Sequence, residues 1–331
     1  MGTTLAETPA TPSAANLPDL RETARSAPPL VGVLAAFAAV YLIWGSTYLA
    51  IRVAVETLPP LLMAGVRFVT AGALLLAWLR FWGAAWPTAA HWRSAAVAGG
   101  LLLLGGNGLV VWAQQYVPSG PAALLVATVP IWMVLLHALG PRGVRPGVLE
   151  IAGLLLGLLG LVVLVYPAAL GLSGRVVERI DPWGAAALVL ASLSWSVGSL
   201  YSRHADLPRA PLVATAIEMI CGGGLQIVAG LLLGEAWRFS PAGVTWHSLA
   251  AMGYLIVFGS WIGFSAYVWL LRVAPPARVA TYAYVNPVVA VLLGWLILSE
   301  ALTPLKIAAM ALIVTAVALI TLRRRRTSPE T

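Results

Sequence analysis

Two opposite charges stand inside otherwise apolar segments: Arg67 in MAGVRFVTAG and Glu218 in TAIEMICGGG, 151 positions apart. Charge in a long apolar run is expensive to keep, so both are candidates for binding or coupling chemistry, as a buried pair or a proton-linked switch. Arg67 falls seven residues after Pro60, about 10 Å along a helix rising ~1.5 Å per residue. His137 ends another apolar run; histidine is the side chain type that can switch charge near neutral pH, though one near an interface is also simply solvated. The uncharged candidates for a substrate surface are Trp44, Thr47, Tyr48, Asn107, Trp112, Trp195, Ser199, Trp261, Tyr282 and Asn286. Tyr282 and Asn286 lie one helical turn apart on one face. Pro287 lacks an N–H and frees a carbonyl one turn earlier, and loosened backbone at mid-depth suits a polar solute. Pro130 and Pro287 are candidate hinges or static kinks. Structural duties compete for the same residues: Trp and Tyr form interfacial belts, and hydroxyls bond helix to helix.

These residue types recognise and move a solute more readily than they make or break bonds. The twelve acids and four histidines are scattered, and no HExxH or paired-acid motif is present. No GxxxxGK[ST] loop is present either, so ATP drive within this chain is not expected. Cys221 is the single cysteine, which excludes an internal disulfide and a multi-thiolate metal site. Neither a cofactor nor a metal is expected.

The elements that must position these residues follow from composition. The chain is 60% hydrophobic and 10% charged, against roughly 25% charged in a soluble domain. No Asp, Glu, Lys or Arg occurs from Ser94 to Pro141, Phe239 to Leu271 or Val279 to Ser299. A bilayer span needs about 20 apolar residues, and continuous runs exclude a barrel's alternation. Ten spans are predicted near 31–51, 60–79, 95–113, 120–140, 147–166, 183–202, 211–232, 248–270, 278–298 and 304–322. With the N-terminus inside, fourteen Arg lie on the cytosolic side, including Arg203, Arg272 and Arg323 to Arg326. Arg52, Arg175, Arg179, Arg238 and Lys306 lie opposite. That bias obeys the positive-inside rule and places both termini in the cytosol. The +8 charge forms no patch, so nucleic acid is not an expected partner. Residues 1–30 read as a disordered tail without a signal-peptide h-region, and 323–331 as a basic tail.

The chain also repeats itself. YLIWGSTYLAIR at 41–52 is matched by SLSWSVGSLYSR at 192–203, aligning Trp44 with Trp195 and Arg67 with Glu218. At offset 157, Gly106, Trp112, Pro118, Ala123 and Pro130 meet Gly263, Trp269, Pro275, Ala280 and Pro287. The predicted halves are 31–167 and 182–322. Five spans per half is an odd number, so the second copy enters the membrane from the opposite side. The expected fold is all-α integral membrane: ten transmembrane helices as two inverted five-helix repeats. That architecture supports alternating access about a midplane site.

Three segments carry a family resemblance. WGSTYLAIRVAVETLPPLLMAGVRF, YVPSGPAALLVATVPIWMVLL and YVNPVVAVLLGWLILSEALTP resemble the opening, the third-to-fourth-span junction and the close of EamA domains of the drug/metabolite transporter superfamily. The resemblance implies a 5+5 carrier in the inner or plasma membrane that moves small metabolites, often by export. The first half departs from the pattern at GPRGVRPGVLE, where a glutamate like Glu300 is usual. Glu150, Glu300 and Lys306 read as water-facing anchors. The expected function is a secondary transporter, an exporter of small organic metabolites, amino acids or drugs, and not an enzyme. A polytopic enzyme acting on lipids is the alternative. Membrane lipid and a small-molecule substrate are the expected partners, and monomer and homodimer both remain open.

Overall fold

The computed structural model describes residues 29–117, 122, 125–139, 146–165, 181–298 and 302–321. The two tails, the junction at Pro118 to Pro121, Arg142, Arg145, Arg175, Arg179 and Glu300 lie outside the described residues, as do the side chains of Tyr48 and Arg52. Ten principal helices occur among the described residues: α1 Leu30–Val55, α2 Pro60–Phe81, α3 Ala89–Ala113, α4 Val129–Leu139, α5 Val148–Val165, α6 Pro182–His204, α7 Pro211–Leu232, α8 Trp246–Val273, α9 Tyr282–Leu298 and α10 Pro304–Thr321. Six of them, α1, α2, α3, α6, α7 and α8, are long and apolar enough to cross a membrane, and α4, α5 and α10 are shorter apolar helices.

Local chemistry sets the starts. Proline opens α2, α6, α7 and α10, where its missing N–H costs nothing. Thr88 and Thr245, 157 positions apart, cap α3 and α8 by accepting from the N–H groups of His91 and Ser248. The Thr88 cap makes the polar AAHWR turn helical, so α3 begins at Ala89, six residues before the expected 95. Glu150 is buried in the first turn of α5 and is no water-facing anchor; a helix N-terminus favours a carboxylate there.

Both α3 and α8 change to π-helix in mid-course, over Gly100–Gly108 and Leu255–Phe264. Aligned at the offset of the caps, the two stretches overlap. A π-turn makes i→i+5 bonds and is often found at functional sites.

Packing pairs the helices in a reciprocal pattern: α2 with α7, α5 with α10, α1 with α8, α3 with α6, α1 with α9, and α4 with α6. The α2–α7 and α3–α7 seams are backbone against backbone. A Cβ on Gly223 would lie 2.8 Å from the Gly65 carbonyl oxygen, and one on Gly222 would lie 2.6 Å from that of Gly99. Without side chains at these points, helices approach closely. The largest core cluster joins α2, α3, α7 and α8 through Phe68, Leu102, Met219 and Phe264. Trp78, Trp82, Trp183, Trp237 and Trp246 are exposed near helix ends, as in an aromatic belt.

Candidate functional site

A cavity of about 100 Å³ lies where α1, α2, α3, α4, α6, α8 and α9 converge. Of the sequence-predicted residues, Trp44, Thr47, Arg67, Asn107, Trp195, Tyr282 and Asn286 line it. Phe68, Gly106, Gly259 and Phe264 join them.

The two tryptophans are seated alike. A Cβ on Gly263 would lie 2.5 Å from Trp44 Nε1, and one on Gly106 would lie 2.7 Å from Trp195 Cε3. Each indole therefore occupies room left by a glycine in the π-helical stretch of the other half. The rings meet edge-on at 5.6 Å. Tyr267 lies 5.1 Å from Trp44 and 5.3 Å from Trp195, and Tyr282 stands 5.0 Å from Trp44. Such geometries are favourable beyond their apolar burial. The polar tips are also satisfied: Trp44 Nε1 donates to the Gly259 carbonyl at 3.2 Å, and Trp195 Nε1 donates to Tyr267 Oη at 2.7 Å.

This aromatic layer contributes Trp44, Trp195 and Tyr282 to the cavity wall. Beyond it, Tyr41 Oη bonds Thr281 Oγ1 at 2.6 Å, and Arg203 donates to the Ala274 carbonyl at 2.9 Å. Arg272 donates to the Pro208 and Arg209 carbonyls. Ile51, Val110, Val126 and Ala191 also line the cavity.

Arg67 is 4% exposed and its Nε donates to Ser260 Oγ at 3.0 Å. Its guanidinium stacks on Phe68, 4.5 Å from the ring centre, and Nη2 fills the space beside Gly259. Thr47 donates to the Trp44 carbonyl within its own helix. Asn286 turns its amide nitrogen to the carbonyls of Tyr41 and Tyr282. Asn107 accepts from Gln226 at 3.4 Å.

The remaining candidates stand elsewhere. Glu218 is fully buried away from the cavity, its Oε1 accepting from Ser202 Oγ at 2.7 Å. It forms no ion pair with Arg67, because α2 and α7 turn the two side chains to different neighbours. Ser199 sits behind the aromatic layer, bonded to Tyr267 Oη. Trp261 donates to the Ala71 carbonyl. Trp112 lines a separate apolar groove and packs on Tyr116. His137 is exposed in the last turn of α4. Pro130 is the second residue of α4, after a turn at Ala127–Thr128, so there it starts a helix and does not bend one. Pro287 lies inside α9.

Phe68, Phe264 and Gly259 were invisible as site residues because apolar residues in apolar runs carry no distinguishing signal. Gly106 and Gly263 had one: they are a matched pair of the repeat. Tyr267 had another, as a phenol mid-run.

The fold defines a polytopic helical membrane protein with a cavity lined by residues from both its first and its second half. Comparison makes the assignment specific. The EamA-like transporter family model matches residues 30–166 and again 182–322. The inner membrane transporter YedA of Escherichia coli K12 is 43% identical over 294 residues, covering 88% of this chain and 92% of the relative. The transporter YoaV of Bacillus subtilis is 25% identical, covering 83% and 91%. A WAT1-related chloroplastic protein of Arabidopsis thaliana is 23% identical, covering 85% and 67%. A solved crystal structure superposes with a TM-score of 0.71 at 24% identity, over 89% of this chain and 99% of that one. The chain belongs to the EamA-like transporter family of the drug/metabolite transporter superfamily. It is a multi-pass inner-membrane transporter.

Proposed function

We propose that this protein is a secondary transporter that exports small organic metabolites, amino acids or drugs by alternating access. The observation that carries the reading is the pair of equivalent tryptophans, each seated on a glycine of the opposite half and both lining one cavity. A solute held there touches both repeats, so a rocking of one against the other changes which side it meets. The reciprocal helix pairing and the matched π-stretches favour ten membrane crossings arranged as an inverted 5+5 repeat.

Orientation follows from charge. With Arg203, Arg209 and Arg272 in the cytosol by the positive-inside rule, the aromatic layer is the closed cytosolic gate and the cavity faces outward. Trp44, Thr47, Asn107, Trp195, Tyr282 and Asn286 form the substrate surface. Pro287 and the break before Pro130 absorb the backbone change between states.

The test is an export screen comparing intracellular and extracellular metabolites with and without the protein, followed by flux in proteoliposomes. Expression is expected to lower the cellular level of at least one small organic solute, and purified protein to move that solute without added ATP. Chemical conversion of the solute by the purified protein would instead favour an enzyme.

A further inference from the structure

Arg67 is a buried cation facing a cavity that carries no acidic residue among its described lining. Among the described residues no carboxylate lies within 4.0 Å of its guanidinium. Ser260 engages Nε, Phe68 offers a ring face and Nη2 lies against Gly259; among the described residues no hydrogen bond reaches Nη1 or Nη2. A desolvated guanidinium without an anion is costly to maintain, and its planar fork, on a residue that lines the cavity, is suited to receive a carboxylate through two parallel hydrogen bonds.

We propose that the cavity takes a small organic monoanion, its carboxylate received by the Arg67 fork and its apolar part laid against Trp44, Trp195 and Tyr282. The inference rests on the transporter reading and names the substrate class of that site. Charge count favours one carboxylate over a phosphate ester. Among the described residues Arg67 is the one Lys or Arg lining the cavity, so it neutralises a single negative charge and would leave a dianion half-compensated. Asn107 and Thr47, also on the wall, add neutral polarity without changing that count. The aromatic rings give an apolar body a flat, desolvated surface.

The test uses three probes of one shape: phenylacetate, phenylacetamide and phenethylamine. Calorimetric titration of the full chain in lipid nanodiscs reads binding without requiring transport. Phenylacetate is expected to bind at least tenfold more tightly than phenylacetamide, with phenethylamine weakest. In Arg67→Gln the preference for the acid over the amide should fall to within twofold, while Arg67→Lys keeps the sign of the preference at reduced size. Equal binding of acid and amide by the unaltered protein, no binding of phenylacetate, or a preference that survives Arg67→Gln would each overturn the proposal. The wild-type comparison stands even if an Arg67 variant does not fold. Counterflow of phenylacetate in proteoliposomes separates the two levels. Arg67-dependent binding without flux keeps the site and counts against alternating-access transport through it, whereas flux of other solutes without carboxylate selectivity does the reverse.

Discussion

Arg67 and Glu218 hold corresponding positions in the two halves, and the structure treats them in opposite ways. Arg67 looks into the cavity, held by Ser260 and Phe68. Glu218 is fully buried beside Ser202, with its second oxygen unpartnered among the described residues. The tryptophans show the complementary behaviour. Trp44 and Trp195 keep the same seat in both halves but send their N–H groups to different partners, a backbone carbonyl and a phenol. Duplication has preserved what shapes the scaffold, namely glycine seats, caps and π-stretches. It has let the charges diverge, which a single cavity built from two copies permits.

That contrast can be broken at graded levels. The largest effect is expected at Gly222, whose Cβ would meet the Gly99 backbone at 2.6 Å, whereas Gly224 has nothing within 4 Å. Gly222→Leu should yield little folded protein, since backbone cannot give way as a side chain does. Gly224→Leu should be recovered at wild-type yield; size-exclusion profiles in detergent compare them. Next, Trp44→Ala and Trp195→Ala should each lower flux at least tenfold at wild-type abundance. If one tolerates truncation, the two halves do not share the substrate equally. Glu218→Gln keeps an acceptor for Ser202 and should leave flux within about threefold, the loss of roughly one hydrogen bond at most. A tenfold loss would move Glu218 from scaffold to coupling group. The smallest effect is expected at the caps: Thr88→Ala and Thr245→Ala should each cost about 1 kcal/mol of stability, seen as a modest fall in thermal midpoint with flux retained.

Much of the scaffold was legible in the residues themselves. Apolar run lengths place the six helices long enough to cross a membrane and the shorter apolar ones, because a lipid solvent forces backbone to satisfy itself within each segment. The offset match singled out Trp44 and Trp195 before their seats were known. Boundaries were less legible where polar caps extend a helix, as Thr88 does for α3. The π-stretches could not be read at all, since an i→i+5 turn is chosen by packing and not by local propensity. The separation of Arg67 from Glu218 was equally hidden: sequence offset fixes equivalent places along two helices, but not the neighbour each side chain turns to. Trp112 and Trp261 share the residue type of Trp44 and differ only in what they face.

The Tyr41–Thr281 contact beyond the aromatic layer, the proposed gate, offers the sharpest test of alternation. Tyr41 and Thr281 touch at 2.6 Å across α1 and the start of α9, and Cys221 is the single native cysteine. In a Cys221→Ser background, cysteines placed at 41 and 281 can be bridged by a short bifunctional thiosulfonate, and transport of a solute found in the export screen measured before bridging, after bridging and after reduction. If the halves must part at this gate, bridging abolishes flux and reduction restores it. Full flux through a completely bridged protein would contradict the account.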